Sequence, residues 1–398
     1  MARTRILYVE QNVDGTVGGS HHYLLALIQG LDPALVECCV AFHEGHSLCD
    51  SFRAHCPVFL LHKPKRVARP RHFPLLRRGV NFALMCRDVW SIAMLLRQRR
   101  PDLVHLNNSF CQGYDTWGIA CRLLGLPLVT FDRCYFQDPL VSRARKYIGV
   151  FTKVLCSSDA VRNHYISLRV PPEKLATVYD GVNSEQFRSQ IARHPKDVRL
   201  EFGLTEDRPL VGMVGNVRHW KGQHVLVGAM ARVKQRIPNV HCLIVGAISQ
   251  HDPSDLEYLR AIERMILEKD LRHNITITGY RDDIPAIVNA LDVQVHASIT
   301  PDPFPRVILE GMCLGMPIIA SRSGGAMESV VDHVTGFLCA PGHEEEMANH
   351  IIRLLMDGDL RRRMGKAAKE RVKEFSMERH INEVIQVYSN ALSKNNGV

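Results

Sequence analysis

Short apolar runs recur through the first half of the chain, at residues 6–9, 38–42, 103–106, 128–131 and 153–157. Each is too short for a helix and lacks the alternation of a half-solvated strand, so each predicts a strand buried on both faces. Helical patterns lie between them, as at 22–30 and 116–124. Strands alternating with helices predict a parallel sheet covered on both sides. The pattern then restarts. Runs at 210–214, 240–245, 275–278, 293–296 and 317–320 predict strands, and 223–236, 256–268 and 305–314 predict the helices between them. Turn formers cluster at Tyr179-Asp180-Gly181-Val182-Asn183, which places the junction between two α/β domains, 1–180 and 181–375. A last amphipathic helix is predicted over 381–392, within a crossover segment and tail over 376–398.

Length and composition agree with this organisation. At roughly 150 residues per domain, 398 residues make two or three domains. Apolar residues at 46% and charged residues at 23% exclude a mainly disordered or fibrous chain. The greasiest stretch, 79–96, is interrupted by Arg87 and Asp88 and is too short to span a bilayer. The opening residues do not read as a signal peptide, because Glu10 ends the run Ile6-Leu7-Tyr8-Val9 at once. Twelve cysteines without a Cys-x-x-Cys pair read as reduced thiols, and a cytoplasmic location is expected.

Charge changes the picture more. Residues 1–180 hold 23 Lys and Arg against 14 Asp and Glu, whereas the remainder holds 27 of each. Within 51–100 there are 12 basic residues and one acid, Asp88. Lys63, Lys65, Arg66, Arg69, Arg71, Arg77 and Arg78 precede the apolar 79–96 segment. Basic residues beside a greasy amphipathic segment suit an anionic membrane surface. Nucleic acid is a poorer fit, because no nucleic-acid motif is present and aromatic residues are sparse there.

The candidate chemistry sits in turns that follow strands. Gly18-Gly19 comes after the first strand and before a helix, where a phosphate can approach the backbone. No Gly-x-Gly-x-x-Gly occurs, which counts against a dinucleotide cofactor. In Val214-Gly215-Asn216-Val217-Arg218-His219-Trp220-Lys221-Gly222, Lys221 and Arg218 offer positive charge for a diphosphate. The block from Thr300 to Val330 is richest. Pro301, Pro303 and Pro305 force a rigid loop, with Pro305 suited to a helix first turn. Asp302 and Glu310, eight residues apart, are expected to reach one pocket, and the turn Ser323-Gly324-Gly325 is expected to supply further backbone donors. Asp357-Gly358-Asp359 reads as a helix-ending turn and not as a metal site.

Taken together, these motifs resemble those of the retaining glycosyltransferases of family 4. The resemblance is carried by Asp302-Pro303-Phe304-Pro305, Glu310-Gly311-Met312, Gly315-Met316-Pro317-Ile318, Gly324-Gly325 and Glu328. It also covers Gly18-Gly19, Lys221-Gly222, Asp180-Gly181-Val182-Asn183, Gly279-Tyr280 and Phe375-Ser376, in order along nearly the whole chain. The family implies the GT-B fold, with two Rossmann-like doubly wound domains facing across a cleft and a C-terminal helix crossing back to the first. It implies transfer of a sugar from a nucleotide-diphosphate sugar, with retention and without a metal or other cofactor, to an acceptor such as a lipid-linked or polysaccharide precursor. Lys221 would take the donor diphosphate, helped by Arg218 and Gly19. Glu310 would take the ribose hydroxyls. Asp302, with the backbone of Phe304 and Pro305 and next to Arg306, would hold the sugar, while Tyr280 or Arg281 would border the base. The chain departs from the pattern at Asp302, where Glu is usual, at Pro305 for Gly and at Asn216 for Arg. Asp132 or Arg133 stands where relatives have a histidine. A nucleotide-sugar epimerase on the same fold and a nucleotide-binding scaffold protein are the alternatives.

Overall fold

A computed structural model describes the backbone of residues 3–10, 19–61, 74–107, 115–135, 148–248 and 253–393, with side chains over the same ranges except 74–79 and 115. Gly18 and the basic residues Lys63, Lys65, Arg66, Arg69 and Arg71 lie outside these, as do the side chains of Arg77 and Arg78. The chain divides into two compact units. One comprises Met1–Tyr179 with His380–Val398, the other Asp180–Arg379.

The first unit is built on a seven-stranded parallel sheet. Its strands are β1 (Thr4–Glu10), β2 (Val36–Phe42), β3 (Val58–Leu60), β4 (Leu103–Leu106), β5 (Leu128–Asp132), β6 (Lys153–Cys156) and β7 (Leu175–Thr177), in the spatial order β3-β2-β1-β4-β5-β6-β7. The order reverses beside β1, which is the doubly wound arrangement. The four residues of β4 and the five of β5 are all buried, including the polar His105, Thr130 and Asp132. Helix Gly19–Gly30 follows β1, and helix Pro74–Arg99 precedes β4. Helix Met377–Ser393 returns to this unit from His380 onward. Its Ile381 lies so close to Gly30 that a side chain there would meet Ile381 Cδ1 at 2.3 Å. Its polar contacts are also buried: Tyr23 O–H donates to His380 Nε2 at 2.7 Å, and Tyr388 Oη lies 2.6 Å from His105 Nδ1.

The second unit repeats the plan with six parallel strands. These are β8 (Leu210–Val214), β9 (His241–Val245), β10 (Ile275–Gly279), β11 (Val293–His296), β12 (Ile318–Ser321) and β13 (Gly336–Cys339), ordered β10-β9-β8-β11-β12-β13. The switch point falls between β8 and β11, where Val293 pairs with Val211. Helices Gln223–Arg236 and Glu344–Met356 bury Val225, Met230, Met347 and Ile351 in one core with β8, β9 and β11. Asp357 ends the helix Glu344–Met356 and caps the next, Gly358–Arg371, accepting from Leu360 N–H at 2.8 Å, as its reading as a turn expects. Among the described residues every cysteine is a free thiol, and no helix is long and apolar enough to cross a membrane.

Candidate active site

Three loops at the carboxyl ends of β8, β11 and β12 converge at the switch point of the second unit. The first contains the short turn His219–Lys221, closed by Gly222. Gly222 has φ +77°, and a Cβ there would lie 2.1 Å from the Ala297 carbonyl. Only glycine permits that approach. The turn is locked to the β11 loop by Ile299 N–H donating to Trp220 C=O at 2.9 Å. This contact carries Lys221 across to the β11 loop, where Nζ lies 2.6 Å from Asp302 Oδ2. The same ammonium stands 4.1 Å from the centre of the Trp220 ring.

Asp302 is held from the other side by the β12 loop. Gly325 N–H donates to Asp302 C=O at 2.9 Å. Gly324, with φ +57°, passes so near that a Cβ would lie 2.2 Å from that carbonyl. The Gly-Gly turn therefore gives one backbone donor, Gly325 N–H, to the Asp302 loop. Asp302 itself is 6% exposed. Burial alone raises a carboxyl, but the hydrogen bond from His296 and the charge of Lys221 outweigh it and hold Asp302 well below the usual carboxylate range.

Pro305 is the N-cap of helix Arg306–Cys313 and not a first-turn residue, with its carbonyl accepting from Ile308 N–H at 3.0 Å. Phe304 is buried against Phe375, ring centres 5.4 Å apart. Glu310 is the fifth residue of that helix and makes no ion pair among the described residues. Burial pushes its carboxyl up, and only the charge of Arg306, one turn earlier, opposes this.

Other sequence-predicted residues stand differently. Arg218 faces Asp255, with Nε 3.5 Å from Oδ2. Asn216 is exposed, and its carbonyl accepts from Gln223 Nε2. Tyr280 is 76% exposed. Arg281 forms ion pairs with Glu201 at 2.5 Å and Asp283 at 2.8 Å. In the first unit Gly19 opens its helix. Asp132 is fully buried, and Arg133 stacks on Tyr23 and Phe131, 3.8 Å from each ring centre. His296 and Ser298 were not among the residues the motifs singled out. His296 Nε2 lies 3.1 Å from both Asp302 Oδ2 and Ser298 Oγ. A histidine closing an apolar strand, six residues before the acid, was the available signal.

Family models match both halves: the model for glycosyltransferase family 4 over residues 17–186, and that for glycosyl transferases group 1 over 196–371. The chain belongs to these glycosyltransferases. Among curated relatives, this glycosyltransferase is 26% identical to an uncharacterized glycosyltransferase of Methanocaldococcus jannaschii over 65% of each chain. It is 27% identical to a D-inositol 3-phosphate glycosyltransferase of Corynebacterium urealyticum over 54% of this chain and 51% of that one. It is 31% identical to a trehalose synthase of Thermococcus litoralis over 45% and 44%. It thus spans between under half and about two thirds of the length of those relatives. Anabaena HepE, solved in complex with UDP and glucose, superposes with a TM-score of 0.81 at 23% identity, covering 98% of this chain and all of that one. A glycosyltransferase of Rickettsia africae does so at 0.81 and 21%, covering 98% and 99%. At those identities the likeness is one of fold, and the two doubly wound units are the Rossmann-like domains of GT-B.

Proposed function

We propose that this glycosyltransferase moves a hexose from a nucleoside-diphosphate sugar, with retention, to a lipid-linked or polysaccharide-precursor acceptor. The observation that carries this reading is the pairing of Lys221 with Asp302 at the switch point of the second unit. A buried-side ammonium suits a diphosphate, and a carboxylate beside it suits sugar hydroxyls. In the reaction the bond from the anomeric carbon to the diphosphate breaks and a bond to the acceptor oxygen forms on the same face. The acceptor proton passes to the departing phosphate. Lys221 supplies the positive charge on the leaving group, so no metal is required. Glu310 takes the ribose, an assignment supported by its lack of an ion pair among the described residues. HepE was solved with UDP and with UDP-glucose, which supports a donor of that class here. Family membership favours transfer over the epimerase alternative.

Acceptor chemistry and location are read from the first unit. The basic run from Lys63 to Arg78 is followed, on helix Pro74–Arg99, by Phe82 and Trp90, which are 63% and 66% exposed. Cationic residues next to exposed aromatic ones suit an anionic membrane surface on the cytoplasmic side. The test is a thermal-shift panel of nucleoside diphosphates and their sugars, followed by turnover of the best donor with and without EDTA. Selective stabilisation by one sugar nucleotide and EDTA-resistant turnover are expected, since a ligand of the folded state raises its melting point. A protein indifferent to every nucleotide would refute the reading.

A further inference from the structure

Asp302 meets its protein donors through one oxygen. Oδ2 lies 2.6 Å from Lys221 Nζ and 3.1 Å from His296 Nε2, and Oδ1 has no partner among the described residues. The two donors differ in mobility. Lys221 reaches Oδ2 at the end of a flexible chain, whereas His296 is the last residue of β11, 3% exposed and fixed by the sheet. A carboxylate oxygen only accepts, so the imidazole proton facing it belongs to Nε2. Ser298 Oγ, at 3.1 Å from the same nitrogen, is the second acceptor for that proton. Nδ1 is buried with no partner among the described residues, and the acceptors stand on the Nε2 side of the ring.

An ammonium drawn onto a diphosphate loosens its hold on the carboxylate it faced before. We propose that His296 is the positioning residue that holds Asp302 in place, with Oδ1 turned toward the donor sugar, once Lys221 has engaged the diphosphate. This rests on the reading above, in which Lys221 takes the diphosphate and Asp302 the sugar. In the donor-free protein both donors hold Oδ2, and once Lys221 turns to the diphosphate His296 is the one that remains. The contribution of His296 therefore falls on the loaded state, and on its sugar half.

The probes are UDP, GDP, UDP-glucose and GDP-mannose, titrated by calorimetry, and the diphosphate and sugar nucleotide that wild type binds are carried through the variants. For His296→Leu, affinity for the bare diphosphate should stay within about twofold. Affinity for the matching sugar nucleotide and kcat should fall by about 10- to 100-fold, the loss of one hydrogen bond to a charged group. His296→Gln, whose amide N–H reaches the position of Nε2, should recover most of both. His296→Asn, one carbon shorter, should not. If His296→Leu does not fold, the contrast between Gln and Asn carries the same test. Equal losses for diphosphate and sugar nucleotide, wild-type behaviour of His296→Leu, or no recovery by a folded His296→Gln would overturn the proposal. Failure of the wild-type protein to bind any of the four probes would instead overturn the donor-site reading beneath it.

Discussion

Raising the pH should cost the first unit stability through one carboxyl, that of Asp132. This residue ends β5 and is fully buried. Tyr165 O–H donates to its Oδ2 at 2.5 Å and Cys134 N–H to its Oδ1 at 3.0 Å. Burial dominates nonetheless and lifts the carboxyl from 3.8 to about 7, against those hydrogen bonds and the charge of Arg133. Between these two values the folded protein keeps a proton that the unfolded chain has lost, so the contribution of Asp132 falls as pH rises through the window. Integrated from pH 5 to pH 8, the loss is roughly 2.5 kcal/mol. Histidines act in the opposite sense: burial lowers His46 and His241 to about 4, so their neutral folded forms gain as pH rises toward 6.5. A raw stability curve mixes the two effects. Asp132→Asn separates them, because only the Asp132 contribution is removed. Its stability relative to wild type should rise by about 2.5 kcal/mol between pH 5 and pH 8. The assay is urea unfolding followed through Trp117, buried in the same unit, with Trp90 and Trp220 replaced by Phe in both proteins. A difference between the two proteins that does not change with pH would refute the assignment of a protonated, buried Asp132.

Lys221→Ala should reduce kcat/KM for the donor by a factor corresponding to about 3 kcal/mol, and wild-type kinetics would remove Lys221 from the leaving-group site. Glu310→Gln should raise the donor dissociation constant with little change in kcat, because a ribose contact is made in ground and transition states alike, whereas Asp302→Asn should lower kcat more than affinity. If both variants merely lower the folded yield, these acids are structural. Gly324→Ala places a methyl group 2.2 Å from the Asp302 carbonyl at φ +57°; a destabilisation of about 2 kcal/mol is expected by thermal unfolding, with loss of sugar-nucleotide binding. Anionic liposomes should sediment the protein at low salt and release most of it in about 0.5 M salt, and Lys65, Arg66, Arg69 and Arg71 changed together to Glu should abolish the binding without touching the nucleotide site; equal binding to neutral liposomes would argue against an electrostatic surface.

The strands that were legible in sequence are those buried on both faces, such as β4, β5, β8 and β9, where no alternation is needed and none occurs. Three of the four edge strands were not legible, β10 being the exception. β3 and β7 are three residues each and partly exposed, and β13 is a four-residue run opening on Gly336. Runs so short carry too few positions to show a period. In the site, Lys221 and Asp302 stand out in sequence because each sits in a turn with its own constraints, the glycine after one and the prolines around the other, and the structure brings the two side chains together. Their direct contact spans 81 residues of sequence and left no local trace. The ion partners of Arg218 and Arg281 are hidden from the sequence for the same reason. A guanidinium in a loop looks available until the fold brings Asp255, Glu201 and Asp283 to it.

The return of helix Met377–Ser393 to the first unit sets an order of assembly during synthesis. Residues 1–179 emerge from the ribosome first, yet the partners of Tyr23, His105 and Gly30 on that helix are made only after all of Asp180–Arg379 has been polymerised. At roughly 5–20 residues per second, that interval is about 10–40 s. Throughout it the nascent first unit exposes the apolar seat of Ile381 and Val384, while the second unit, continuous in sequence, is free to fold on its own. The first unit is therefore the later of the two to mature, and it is the one that a chaperone acting on the nascent chain would need to shield.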